Sequence, residues 1–237
     1  MAGHSKFANI KHRKAAQDSK RAKIFTRLIR EITVAAKSGD LDPESNPRLR
    51  AAIIAAKSAN MPKDKINNAI DKASSDNSAD NYEELRYEGY GPAKTAIIVE
   101  ALTDNRNRTA SSVRTIFNKN GGQLAESGSV SFMFDRKGII RFAKEDINEE
   151  ELFELAVEAG AESIESNSEF YEVVTSLNEF SIVRDEILKK YDNPTNMGLE
   201  WLPKNLIEID DEQQESIARL VEALENDDDI QNIYVNI

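Results

Sequence analysis

Residues 1–23 hold seven cations, Lys6, Lys11, Arg13, Lys14, Lys20, Arg21 and Lys23, against one acid, Asp18. His4, Phe7 and His12 lie among them. Ammonium and guanidinium groups at this density neutralise phosphates, and rings between them stack on bases, so the chemistry on offer is contact with a polyphosphate. The alternative is a solvated basic tail without a specific partner. A second concentration is Asp104-Asn105-Arg106-Asn107-Arg108-Thr109. Asp104 or Asn105 suits a helix N-cap there, but two arginines in the first turn oppose the helix dipole. Arg106 and Arg108 make sense beside free N–H groups if an external phosphate sits between them, or if each pairs with a domain carboxylate; both readings stand at this point. A third is the Gly- and Ser-rich stretch Gly121, Gly122, Glu126, Ser127, Gly128 and Ser129, which suits close approach to a nucleic-acid backbone or a plain hairpin connection.

Charge is unevenly shared. The chain has a net charge of −11, yet residues 1–75 carry 16 basic and 7 acidic side chains while residues 76–237 carry 15 and 35. Screening over about 8 Å at physiological salt keeps the acidic part from cancelling the basic part at a distance. With no cysteine there is no disulfide scaffold, thiolate nucleophile or Cys-ligated metal. Gly-x-x-x-x-Gly-Lys-Ser/Thr, Gly-x-Ser-x-Gly and His-Glu-x-x-His motifs do not occur, and the acidic runs Glu149–Glu151 and Asp227–Asp229 fit solvated helix ends. No run of 18 apolar residues suggests a membrane span. A non-enzyme without cofactor or metal, cytoplasmic and monomeric, is the expectation.

Periodicity supplies the frame. Ile24, Phe25, Leu28, Ile29, Ile32, Ala35 and Ala36 recur at helical spacing, with Lys20, Lys23, Arg27, Arg30 and Lys37 on the other side as a cationic stripe. Asn46-Pro47 starts a second helix carrying Leu49, Ala52, Ile53 and Ala56, and a third carries Ile66, Ala69, Ile70 and Ala73. Residues 74–81 look like a linker. Beyond it, Thr95–Leu102 is β-rich, a helix runs from Asn107 to Lys119, and alternation predicts a strand over Val130–Phe134. Tyr87–Pro92 reads as a tight turn. Residues 138–203 follow a βαββαβ order, with strands at 139–142, 162–165, 171–175 and 199–202 and helices at 149–159 and 180–191; this is the ferredoxin-like plan. A strand over 206–209, a helix over 212–225 and a strand over 230–235 return to the module preceding the insertion. The fold class is therefore multi-domain α and α+β: a helical domain (1–78), a discontinuous α+β domain (79–137 plus 204–237) and an inserted ferredoxin-like domain (138–203).

Several blocks are recognisable together. Met1–Lys6, Asn9–Asp18, Tyr87–Pro92, Glu100–Thr109, Glu126–Val130 and Phe134–Gly138 closely resemble the YebC/PmpR family, essentially end to end. Phe7 and Ala22 depart from the family's usual Trp and Gly, and Ala93-Lys94 from a frequent glycine pair; Phe7 keeps ring stacking without the indole donor. The resemblance implies the same three-domain plan. It also implies nucleic-acid binding without chemistry, as a DNA-binding transcriptional regulator or as a ribosome-associated translation factor acting at difficult stretches such as proline runs. A flexible cationic arm and Gly-rich loops, without a helix tipped for base reading, favour RNA. The nucleic-acid contacts would be Lys6, Lys11, His12, Arg13, Lys14, Lys20, Arg21, Lys23, Arg27, Arg30, Arg106 and Arg108, with the 121–129 loop. In the alternative reading, a protein–protein adaptor, the acidic α+β domains bind basic partners and the arm is incidental.

Overall fold

The computed structural model describes the backbone of residues 3–75 and 82–237, and side chains from Arg21 onward except those of Ser75 and Asp146. The side chains of Lys6, Lys11, His12, Arg13, Lys14 and Lys20, and linker residues 76–81, lie outside the described residues. Among the described residues, seven α-helices and two antiparallel sheets make up a mixed α+β structure.

α1 (Gly3–Ser38), α2 (Pro47–Ser58) and α3 (Lys63–Ser75) share one core built on Phe25, Ile32, Leu49, Met61 and Ile66. The three- and four-residue apolar spacing produces it, although Ile24 turns outward. Asn46 makes the turn between α1 and α2. Its Oδ1 accepts from Leu49 N at 3.0 Å, and its Nδ2 donates to the carbonyls of Ala35 and Asp40 at 2.8 and 2.7 Å. One buried amide thus caps the second helix and binds down the end of the first.

The first sheet runs in the order β3 (Gln123–Ala125), β1 (Glu83–Tyr90), β2 (Ala96–Thr103) and β8 (Ile230–Val235). β2 is covered on both faces, which is why it reads as a nearly unbroken apolar run. Ile97, Val99 and Ala101 pack under α4 (Arg106–Lys119) and α7 (Asp211–Glu225), while Ala96 and Ile98 meet Val130 and Phe134 on the other side. β1 replaces the tight turn expected at Tyr87–Pro92. It pairs with β2 along its whole length, and only residues 92–94 turn. Gly89 has to be glycine there, because a Cβ would lie 2.6 Å from the Phe117 ring and 2.8 Å from the Gln123 carbonyl.

The second sheet has the order β5 (Ser163–Ser166), β6 (Phe170–Thr175), β4 (Phe134–Ala143) and β7 (Asn196–Pro203), antiparallel throughout. α5 (Glu149–Ala159) and α6 (Phe180–Leu188) bury Leu152, Ala156, Val183 and Ile187 against Ile140, Phe142, Val173 and Met197. Two sequence expectations fail nearby. Val130–Phe134 is not a strand: Ser131–Met133 forms a 3-10 turn that leaves Phe132 63% exposed, and β4 begins only at Phe134. Leu206–Ile209 is not a strand of either sheet; its Ile207 N–H donates to the Asn236 carbonyl.

The layers are joined by polar contacts. Trp201 on β7 donates its indole N–H to Glu100 on β2 at 3.0 Å, with the guanidinium carbons of Arg86 and Arg136 5.0 and 5.6 Å from its ring. From the helical unit, Arg48 pairs with Glu84, and Ala51 and Ile54 pack against the core of the second sheet.

The turn at 92–94 carries backbone strain, since Ala93 and Lys94 have φ of 55° and 61°. Left-handed backbone costs a residue with a Cβ about 1–2 kcal/mol, partly offset by the greater freedom glycine gives the unfolded chain. The double variant Ala93→Gly/Lys94→Gly is therefore expected to gain about 1 kcal/mol in thermal or urea unfolding; a lower melting temperature would show that the turn is not strained.

Candidate nucleic-acid interface

The cationic stripe of α1 does not simply face solvent. From Lys23 onward it lies against the acid-rich corner between α7 and β8, where residues 225–229 read Glu-Asn-Asp-Asp-Asp. Lys23 Nζ donates to Asn226 Oδ1 at 2.8 Å. Arg27, four residues on, lines a depression with Glu200, Glu225 and Tyr234. Arg30 Nη1 donates to the carbonyls of Leu102 and Asp228 at 2.8 and 2.9 Å and to Asp229 Oδ1 at 2.8 Å. The i, i+4, i+7 spacing that makes a stripe also makes a docking face, and the partner it meets is intramolecular. Arg21 remains exposed, with its guanidinium 5.2 Å from the Phe25 ring.

Asp229 is the focus of this corner. Its side chain is only 7% exposed. Besides Arg30, its carboxylate accepts from Thr109 Oγ1 at 2.6 Å, Arg108 Nη2 at 2.8 Å and Thr103 Oγ1 at 3.1 Å. Burial pushes the carboxyl pKa up, but hydrogen bonds from Thr109, Arg108 and Arg30 outweigh it, so Asp229 sits below the ordinary aspartate value. The run 227–229 is thus not a solvated helix end. Ser112 donates to Asp227 at 2.5 Å on the same flank. For Arg108 the carboxylate partner holds, with Asp104 at 2.7 Å completing the pair. These two acids hold the Arg108 guanidinium pKa above its usual range. Arg106 is exposed and makes no ion pair among the described residues. Asn105 is the N-cap, its Oδ1 accepting from Arg108 N at 3.0 Å.

The 121–129 loop lies at the opposite end of α4. At about 1.5 Å per residue, the 14-residue helix puts roughly 20 Å between Arg106 and the Gly121-Gly122 turn. The two expected contacts therefore do not converge on one point. The loop is held from beneath by Glu88, which the sequence reading passed over. Its Oε2 accepts from the N–H groups of Val130 and Ser131 at 2.9 Å each, and Arg86 lies 3.3 Å from its Oε1. Burial raises the Glu88 carboxyl, yet backbone donors from Val130, Gly128 and Ser131 bring it below its usual value. Tyr90 OH donates to the Ser129 carbonyl at 2.9 Å. Glu126, Ser127 and Gly128 are left exposed. No cluster of His, Cys, Asp or Glu suited to a metal occurs among the described residues, and no helix there is long and apolar enough to cross a membrane.

Removing the Asp229 carboxylate takes from the half-buried Arg30 its only ion-pair partner among the described residues, and from Arg108, Thr103 and Thr109 a shared acceptor. Asp229→Ala is expected to cost about 3–5 kcal/mol in urea unfolding; a loss below about 1 kcal/mol would contradict the role. A lowered native pKa stabilises fully above the unfolded value, near 4, and that contribution disappears as pH falls through the native value. Stability should therefore drop below about pH 4 in the native protein, and less steeply in Asp229→Asn.

Residues 5–76 match the model of the TACO1/YebC protein N-terminal domain, and residues 82–237 the model of the TACO1/YebC second and third domain. A probable transcriptional regulatory protein of Pelagibacter ubique is 52% identical over 237 residues, covering 100% of this chain and 98% of the relative. One from Ligilactobacillus salivarius is likewise 52% identical, over 238 residues with the same coverage. The crystal structure of a conserved hypothetical protein from Aquifex aeolicus aligns with a TM-score of 0.82 at 42% identity, covering 92% of this chain and 90% of that one. Matched along nearly its whole length, the chain belongs to the TACO1/YebC family.

Proposed function

We propose that this chain is a non-enzymatic, nucleic-acid-binding regulator of gene expression that grips phosphates with the amino-terminal part of α1 and prefers RNA. Its relatives are named as probable transcriptional regulators. The cationic arm and Gly-rich loop favour the ribosome-associated form of that role, at stalling sequences such as proline runs. The observation that carries the reading is charge placement. Lys6, Lys11, Arg13, Lys14 and Lys20 precede in sequence the part of α1 that is docked through Lys23 and Arg30, and among the described residues the acidic corner engages the stripe at Lys23 and Arg30. Arg30 and Arg108 serve as anchors within the molecule, and Arg106 and the 121–129 loop are further contacts. We read 1–78 as the helical domain, 79–137 with 204–237 as the α+β domain, and 138–203 as an inserted ferredoxin-like domain. A second reading, an adaptor for basic partners, draws on α5, which has five glutamates, no base, and exposed Phe153 and Val157.

Salt decides between them. With about six phosphates neutralised, affinity for a labelled oligonucleotide should fall on the order of a thousandfold between 50 and 200 mM salt. Lys11→Glu/Arg13→Glu/Lys14→Glu should flatten that slope by two to three units. A flat response in the native protein, or unchanged binding by the triple variant, would overturn the proposal. A deletion of residues 1–23 that keeps its cellular partner would favour the adaptor.

A further inference from the structure

Two aromatic rings stand out in water among the described residues, Phe153 at 54% exposed and Phe132 at 63%. Their settings differ. Phe153 sits on α5, whose five glutamates and lack of any base repel a polyphosphate. Phe132 lies in the stretch from Lys119 to Lys137, which holds three bases and two acids, and Lys204 answers one of those acids, Asp135, at 3.3 Å. Arg136, four residues beyond Phe132, is exposed and makes no ion pair among the described residues. The exposure of Phe132 is built in. Continued alternation would set it beside Val130 and Phe134, both buried, on one side of a strand. Instead the fully buried Glu88 side chain takes the N–H groups of Val130 and Ser131 and turns the backbone. The Met133 N–H closes that turn on the Val130 carbonyl at 2.9 Å, and the Lys204 N–H caps the Met133 carbonyl at 2.9 Å. Tyr90 fixes the approach through Ser129. Dehydrating a carboxylate and leaving a ring wet are both unfavourable, and a partner that covers the ring recovers the second cost.

We propose that Phe132 is a stacking platform for one unpaired base of a single-stranded nucleic acid, held ready by the turn that Glu88 pins. This rests on the nucleic-acid reading above and deepens it: the 121–129 loop meets the backbone, and the ring beyond it meets a base. Val130 and Phe134 are buried and Met133 packs against the same core, so the turn offers a single ring. That is far less than the roughly 800 Å² a stable protein partner covers, but it suffices for one base. In a duplex the faces of the bases are already stacked on each other, so the ring should select single strands. Every base has a π-face, so the contact should carry little sequence preference.

The test uses the full chain and fluorescence anisotropy with an unstructured RNA of about 20 nucleotides, the DNA strand of the same sequence, and the RNA duplex, from about 50 to 200 mM KCl. Phe132→Ala should weaken binding to both single strands by about fivefold or more and leave the duplex within about twofold. Its salt slope should equal the native one, because the ring carries no charge. Phe132→Tyr and Phe132→Trp should keep the native affinity, whereas Phe132→Leu, apolar but without a ring, should lose it. Phe153→Ala and Leu206→Ala, which remove other exposed apolar groups, should do nothing. Should Phe132→Ala melt early, the comparison of Phe132→Leu with Phe132→Tyr reads the same loss. Native salt-dependent binding with an unchanged Phe132→Ala would overturn the stack and leave the arm standing. Equal losses on duplex and single strands would make the contact one with the backbone and overturn it too. Full affinity in Phe132→Leu, or an equal loss in Leu206→Ala, would give the ring to a general apolar contact, again against the proposal. If the native protein binds none of the three probes, the broader reading falls and the stack with it.

Discussion

One carboxylate ties together parts of the chain that are far apart in sequence. Asp229, just before β8, takes hydrogen bonds from Arg30 on α1, from Thr103 at the end of β2, and from Arg108 and Thr109 on α4. Burying an isolated carboxylate would be prohibitive, and burying Arg30 alone nearly as bad; each makes the other tolerable. The pairing is therefore conditional. Asp229 is stable in place only while α1 lies across the corner, and α1 is directed there because its cations find this acid. Stability and orientation come from the same set of bonds.

A division of labour among the cations follows. Lys23, Arg30 and Arg108 are spent on holding the helical unit to the first sheet. Arg106, Arg114 and Lys119 of α4 are exposed and make no ion pair among the described residues. Glu88 repeats the device with backbone donors in place of guanidiniums, fixing the loop after β3 by accepting from Val130 and Ser131. Both buried acids hold surface elements at set positions, and both lie on or beside the first sheet. The second sheet is attached through Trp201 and Glu100, a contact with no cation from α1.

Much of the frame was legible in the sequence. Helical apolar spacing located α1 to α3, the Asn46-Pro47 cap began α2, and the β-rich run over Thr95–Leu102 located β2. The misses share a cause. β1 alternates Leu85, Tyr87 and Gly89 with charged residues, and its Gly-Tyr-Gly-Pro end carries stronger turn signals than its body carries strand signals. Val130, Phe132 and Phe134 alternate like a strand, but backbone N–H groups captured by Glu88 turn that segment instead. At the site, residue type revealed where charge was dense without revealing which charges were already answered. Arg106 and Arg108 look equivalent on paper; a carboxylate 121 residues away separates them.

The central claim is that Asp229 sets where the basic helix lies relative to α4. The chain has no cysteine, so Thr26→Cys and Asn118→Cys can carry a spin-label pair, one on each helix, without background. Electron–electron distance measurement should give a single narrow distribution in the otherwise native chain and a broad or shifted one when Asp229→Ala is added. The same narrow peak in both would contradict the account.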